Sequence, residues 1–289
     1  MNKLLPLFFI NLKKTKMKLV KICAVLFFII AISCNNNSPS ISGLKEINKS
    51  IKEQYAPDKR TAIYAVDFNS ADDKIFVEGE TDSKEAYSEL LDSLKILDVE
   101  VINKIRLLPD SIIGNKMFAI ARNSVINIRS KPKHSAELGT QGLLGMSLKV
   151  LDKKGDFYRI QTPDKYISWV DKGGIHRMNK AEFDNWNTSK KVLFTKNFGY
   201  VYAKKNSNSD IVSDITLGGM LKYLSEDASF YEVKYPDNRT GFIKKNEAVI
   251  FNSWLQKLQP SPKNIEKIAK KMEGFPYLWG GTSAKGIDC

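Results

Sequence analysis

The residues best suited to chemistry are the last fifteen, Phe275-Pro276-Tyr277-Leu278-Trp279-Gly280-Gly281-Thr282-Ser283-Ala284-Lys285-Gly286-Ile287-Asp288-Cys289. A cysteine thiolate attacks acyl carbon well, provided a nearby cation, histidine or helix N-terminus stabilises it. Adjacent glycines such as Gly280-Gly281 let a second backbone come close, as a substrate groove requires. The only histidines in the sequence, His134 and His176, lie far upstream. Each reads as a surface or turn histidine rather than as a base for Cys289. The remaining cysteines, Cys23 and Cys34, sit near the N-terminus. There is no Cys/His cluster with metal spacing and no glycine-rich phosphate loop, so no metal or organic cofactor is implied.

Charge narrows the partners. The formal net charge is +13, but residues 1–33 carry six lysines and no acid. The rest holds 39 basic and 32 acidic residues, a balance of +7 spread along the chain. No basic block reads as a nucleic-acid stripe, so nucleic acid is not expected as a partner. A weak attraction to an anionic wall or membrane surface is the modest inference. From Met17 a basic stretch precedes an apolar run, Ala24–Ile32, then Ser33-Cys34 and a polar tether. The run is short for a spanning helix, which needs about 20 apolar residues. It resembles the signal and lipobox of bacterial lipoproteins. That resemblance implies removal of residues 1–33, acylation of Cys34, a tether over 34–43, and a periplasmic, lipid-anchored protein of the cell envelope. Asn35 in place of Asp points to the outer membrane. Cys289 would then be the one free thiol of the mature chain.

The elements that must position the C-terminal segment follow from pattern. Leu44, Ile47, Ile51 and Tyr55 at helical spacing predict a short helix. Residues 62–66 and 74–77 predict strands joined by an Asn69–Asp73 turn. Ala86, Leu90, Leu94 and Leu97 mark a second helix, and residues 100–107 a third strand. Residues 44–115 thus read as a small α/β module, a packing or spacer unit without chemistry of its own. An internal repeat follows. Asn123 aligns with Asn197 and Gly145-Met146 with Gly219-Met220, 74 positions apart. Phe157-Tyr158 aligns with Phe230-Tyr231, Pro163-Asp164 with Pro236-Asp237, and Trp169-Val170 with Phe242-Ile243, 73 apart. Short alternating strands broken by Gly, Asn and Pro-Asp turns predict one small barrel per copy, with Phe157, Trp169, Phe230 and Phe242 as core. Ser261-Pro262 then caps and starts a helix that Gly274 and Pro276 end.

Two resemblances rest on these residues. Asn127-Ile128-Arg129-Ser130-Lys131-Pro132, Phe157-Tyr158-Arg159-Ile160 and Ile167-Ser168-Trp169-Val170 resemble the bacterial SH3-like domain over 116–180. The second copy, 190–252, resembles a divergent one. Residues 261–289 resemble the start of the NlpC family of papain-like cysteine peptidases. Pro276, Tyr277, Trp279, Gly280, Gly281, Gly286, Asp288 and Cys289 fall on its pattern Pro-Tyr-x-Trp-Gly-Gly, then Gly-x-Asp-Cys. The fold class expected is mainly β with α+β parts: the α/β module, two SH3-like β-barrels, and the start of a papain-like α+β domain.

The resemblance implies that Cys289 is the nucleophile, that Tyr277 lines the pocket beside it, and that Asp288 helps recognise the free amino group of the substrate. Family members with tandem SH3-like domains cleave the γ-D-glutamyl–diamino acid bond of peptidoglycan stem peptides. In some the first SH3-like domain offers an acid and a tyrosine to that amino group. Glu137 and Tyr166 are the candidates here. The family pattern continues past the cysteine to a helix, strands and a catalytic histidine. This sequence is therefore expected to represent a truncated and inactive fragment, with residues 262–289 as a disordered tail that exposes Leu278 and Trp279. The alternative is a non-catalytic lipoprotein that binds peptidoglycan through its SH3-like pair.

Overall fold

A computed structural model describes residues 41–72 and 74–288. It is built mainly of strands, arranged in several sheets with helices between them. The N-terminal module starts with helix α1 (Ile41–Tyr55), three residues earlier than the apolar spacing alone suggests. Strand β1 (Tyr64–Ala71) and β2 (Lys74–Thr81) form a hairpin. Helix α2 (Lys84–Ile96) then crosses over, and β3 (Val101–Leu107) pairs parallel with β2. The hairpin turn is tighter than Asn69–Asp73, because Ala71 already pairs with Lys74. Asp72 takes φ 51°, as a two-residue hairpin turn demands. Ser83 caps α2 by accepting the Ala86 N–H. Leu44, Ile51, Phe68, Val77, Leu90 and Leu94 fill the core between helices and sheet.

Two seven-stranded sheets follow, and they are one structure drawn twice. The first contains β4 (Phe118–Ala121), β5 (Val125–Arg129), β6 (Leu138–Leu143), β7 (Ser147–Lys154), β8 (Phe157–Gln161), β9 (Ile167–Asp171) and β10 (Ile175–Met178). The second contains β11 (Lys191–Phe194), β12 (Phe198–Tyr202), β13 (Ile211–Thr216), β14 (Met220–Glu226), β15 (Phe230–Lys234), β16 (Thr240–Lys244) and β17 (Ala248–Ile250). Their strand orders, β10-β4-β7-β8-β9-β5-β6 and β17-β11-β14-β15-β16-β12-β13, correspond strand for strand. Every strand start in the second sheet lies 73 positions after its counterpart. The bulges follow the same shift: Ile128/Arg129 with Val201/Tyr202, and Val150/Asp152 with Tyr223/Ser225.

That constancy corrects the 74-residue alignments. Gly145 matches Gly218, not Gly219: their φ values are 88° and 87°. Each donates its N–H back to the strand that opens its sheet, at Ala121 and Phe194 respectively. Asn123 accordingly matches Lys196. The aromatic core is also corrected. Phe157 is buried, but Trp169, Phe230 and Phe242 are only half-buried. Trp169 stands on the outward side of β9, beside the Arg159 guanidinium at 5.8 Å. Branched aliphatics such as Ile128, Val150, Ile160 and Val170 fill the first barrel instead.

The first barrel is joined on both sides. Arg159 Nη1 meets Glu80 of the module at 2.5 Å, and Arg106 reaches Asp110 and Asp152. Helix α3 (Lys180–Thr188), closed by a reciprocal Asn179/Glu182 capping box, lowers Trp186 between the barrels. The β6–β7 turn inserts Leu144 into the core of the second barrel, and its carbonyl accepts the Met220 N–H at 2.8 Å. Helices α4 (Phe251–Lys257) and α5 (Pro262–Ala269) then lead outward, with Ile265 and Ile268 of α5 exposed. Among the described residues no helix is long and apolar enough to cross a membrane.

Candidate functional site

Residues 276–288 are folded, contrary to the expectation of a disordered tail. They form a small loop closed by β18 (Thr282–Ser283) and β19 (Gly286–Ile287), with a bridge between Tyr277 and Ile287. The Leu278 N–H donates to Ile287 O at 3.1 Å and the Ile287 N–H to Pro276 O at 3.0 Å. Asp288 closes the loop from the far end: its Oδ2 accepts the Gly280 N–H at 2.7 Å, and its own N–H donates to Gly281 O at 2.9 Å. The loop buries little of itself, so its order comes from what it lies on.

It lies on strand β6 of the first barrel, and Gln141 is the anchor. This side chain is 7% exposed and bonded at both its oxygen and its nitrogen. Its Oε1 accepts the Thr282 N–H at 3.1 Å and the Ser283 hydroxyl at 2.9 Å. Its Nε2 donates to Asn127 Oδ1 at 3.0 Å, and its backbone carbonyl accepts the Thr282 hydroxyl at 3.2 Å. A buried amide with this many partners fixes the position of whatever it grips. Gly280 makes the closest approach. It has φ 69°, and a Cβ there would lie 2.5 Å from the Leu138 carbonyl oxygen. Only glycine satisfies both conditions.

The contact brings the site candidates of the first barrel to the loop. Trp279 Nε1–H donates to Glu137 Oε1 at 3.1 Å across 142 positions of sequence. The Tyr166 ring covers Gly139, since a Cβ on that glycine would sit 2.6 Å from the phenol oxygen. Gly139 in turn borders Gly280. Glu137 therefore meets Trp279 directly, Asp288 holds Gly280, and Tyr166 stands one residue away across Gly139. Tyr277 and Trp279 keep 62% and 60% of their surface exposed and form the open rim of the loop, and Leu278 is 37% exposed. Cys289, at the end of this loop, and Cys34 lie outside the described residues, as do the proposed signal segment and most of the tether.

The histidines stand elsewhere. His134 is exposed in the turn after β5, 3.7 Å from Asp171 and edge-on to Phe157. His176 is half-buried in β10, where burial pushes its pKa below the ordinary histidine value. Neither is among the partners of the loop. Among the described residues no group of three or more His, Cys, Asp or Glu could hold a metal ion.

The loop has a further set of partners that sequence reasoning did not single out. Lys285 Nζ pairs with Asp214 Oδ2 of the second barrel at 2.7 Å and donates to Ser124 Oγ of the first at 2.9 Å. Ser124 Oγ donates onward to Asp214 Oδ2 at 2.8 Å. Burial alone would raise the Asp214 pKa. The hydrogen bonds from Lys285 and Ser124 outweigh it and hold the carboxyl below the usual carboxylate range. Gln141 and Asp214 each sit at the same place in their barrel, which is a signal the repeat itself contained.

The bacterial SH3 domain family matches residues 124–176. A curated relative, the gamma-D-glutamyl-L-lysine dipeptidyl-peptidase of Bacillus cereus, is 29% identical over 161 residues, 53% of this chain and 47% of the relative. The chain thus spans about half the length of that relative. Among solved structures, an NlpC/P60 family protein from Bacillus cereus is similar in fold, with a TM-score of 0.51 at 23% identity. The match covers 60% of this chain and 68% of that one. Residues 124–176 are a bacterial SH3 domain, and the chain is a relative of the NlpC-like peptidases.

Proposed function

We propose that this chain carries the substrate-recognition part of a cell-wall cysteine peptidase that cleaves the γ-D-glutamyl–diamino acid bond of peptidoglycan stem peptides. One observation supports the reading above the rest: Glu137 of the first barrel takes the indole N–H of Trp279, in the loop that ends in Asp288-Cys289, while Tyr166 lies against Gly139, which borders Gly280. A carboxylate, a phenol and a second carboxylate beside an open aromatic rim suit a cationic amino terminus held close to an acyl-cleaving thiol. Cys289 is the nucleophile in this reading, with Tyr277 beside it. Glu137, Tyr166 and Asp288 receive the free amine.

The test is binding of L-alanyl-γ-D-glutamyl-L-lysine to the full chain by calorimetry. The free-amine peptide is expected to bind, and its N-acetylated form to bind at least tenfold more weakly. Glu137→Gln should abolish the difference, whereas Asp210→Asn, at the matching position of the second barrel, should leave it intact. Equal affinity for the two peptides overturns the amine reading. The 289-residue polypeptide is expected to bind without hydrolysing, since His134 and His176 are engaged away from the loop. Release of lysine from the peptide would overturn that. The same proposal places the protein in the envelope, lipid-anchored through Cys34 at the outer membrane. Metabolic labelling with a palmitate analogue should mark the wild type and not Cys34→Ser.

A further inference from the structure

We infer that the second barrel is a working part of this site, with Asp214 as a positioning residue that holds the catalytic loop through Lys285 and Ser124. This rests on the reading given under Proposed function. Four observations carry it. First, Lys285 Nζ, Ser124 Oγ and Asp214 Oδ2 form a closed triangle with sides of 2.7, 2.8 and 2.9 Å. The hydroxyl accepts from the ammonium and donates to the carboxylate, so one serine satisfies both charges. Second, the two acceptors are sheltered while the lysine reaches in from the surface: Ser124 is 3% exposed, the Asp214 side chain 31% and the Lys285 side chain 44%. Ion pairs reinforced by a shared buried hydroxyl hold better than pairs in open solvent. Third, its members come from the first barrel, the second barrel and the loop, so it locks all three together. Fourth, Asp214 occupies the position in β13 that Gln141 occupies in β6, 73 residues earlier.

The loop is thereby gripped at Thr282 and Ser283 by one barrel and at Lys285 by the same structural position of the other. The grip lies between the Trp279–Gly280 bend and Asp288. Releasing Lys285 removes the second barrel's hold on the segment that leads to Asp288, while Gln141 still holds the start of the turn. The second barrel, with Asp210 and Arg239 at the positions of Glu137 and Tyr166, contributes by fixing where the first barrel meets the loop.

The indole N–H signal of Trp279 in a 1H–15N spectrum reports the geometry, because that proton is given to Glu137. Glu137→Gln defines its position when the charge is lost. Asp214→Lys and Lys285→Asp, neither of which touches Trp279, should each move the signal toward that position. The double variant, with the charges exchanged, should return it. Trypsin supplies a second readout, the release of residues 286–289 by cleavage after Lys285. Asp214→Asn should speed it about tenfold at an unchanged melting midpoint. If an Asp214 variant unfolds the barrel, Lys285→Met decides, since it alters an exposed loop residue and should still move the Trp279 signal. An unmoved signal in Lys285→Met, or an exchanged pair as displaced as the single variants, overturns the proposal. None of these readouts requires hydrolysis or peptide binding, so failure here leaves the peptidase reading standing. Failure of the peptide-binding test leaves the clamp standing.

Discussion

The two barrels share strand order, bulge positions and turn glycines at a constant shift of 73 residues, yet they meet the C-terminal loop with different chemistry. At matching positions the first barrel has Glu137, Gln141 and Tyr166, and the second has Asp210, Asp214 and Arg239. The first uses an amide to satisfy backbone and hydroxyl groups, which sets register. The second uses a carboxylate to take one ammonium, which sets distance but little direction. Their surfaces differ as well. Strand β12 lines up Phe198, Tyr200 and Tyr202 in an edge-to-face row that runs from exposed Phe198 to buried Tyr202, where β5 has Val125, Asn127 and Arg129. A duplicated fold has kept its backbone rules and divided its side-chain tasks, as expected where function resides in sites placed on a scaffold.

The asymmetry also runs through the joint between the barrels, and this is where it breaks most easily. Leu144 of the first barrel is fully buried in the core of the second, whereas its counterpart Leu217 is only half-buried. Leu144→Ala should cost about 3 kcal/mol by leaving a cavity, and Leu217→Ala about 1 kcal/mol. Chemical denaturation of the two variants measures the gap; equal costs would mean that the barrels pack symmetrically. The glycines that shape these turns should rank in the same order. A Cβ on Gly145 meets the fixed carbonyl of Met220, but on Gly218 it meets the movable Cδ1 of Leu143 at 2.8 Å. Both positions also impose a left-handed backbone on the substituent, a cost of about 1–3 kcal/mol. Gly145→Ala is therefore expected to destabilise by roughly 1 kcal/mol more than Gly218→Ala, measured in the same denaturation series.

Much of this architecture was legible in the residues, and the failures have definite causes. The repeat, the helix start at Ser261 and the period-two strands all follow from local patterns. The 74-residue alignment failed because Gly218 and Gly219 are adjacent, and only backbone dihedrals say which one makes the turn. Trp169, Phe230 and Phe242 were assigned inward because they are large and apolar. Their outward placement follows from strand alternation, which puts Val170 and Ile243 inside. Glu137 and Tyr166 were named from resemblance alone, and the contact of Glu137 with Trp279 has no local signal, because the two lie 142 positions apart. Gln141, Ser124, Asp214 and Lys285 were missed for the same reason: each is an ordinary polar residue until the fold brings them together. The folded state of residues 276–288 was missed because it depends on hydrogen bonds donated to a different domain.

The smallest difference between the barrels concerns the strand that opens each one. In the first, Phe118 stacks on Phe183 at 4.6 Å. In the second the matching residue is Lys191, paired in register with Lys222. Burial, with a smaller push from Lys222, lowers the Lys191 pKa to about 8. Its ammonium donates to Ser189 Oγ at 2.8 Å, to Ser189 O at 3.0 Å and to the Trp186 carbonyl. The Trp186 carbonyl also accepts from Ser189, so removing the ammonium strands no acceptor there. At pH 7 the lysine is protonated in both folded and unfolded chains, and the folded state bears the full cost of burying the charge. As pH rises through about 8 the folded state releases its proton first, and the cost is relieved. Lys191→Met should therefore raise the melting midpoint at pH 7 by an amount worth about 1 kcal/mol, and the advantage should shrink as pH climbs from 8 toward 10.5. Thermal melts of both proteins across that range measure the trend. A constant gap would show that Lys191 acts through its hydrogen bonds and shape, not through its charge, and the second barrel would then differ from the first in packing alone at this position.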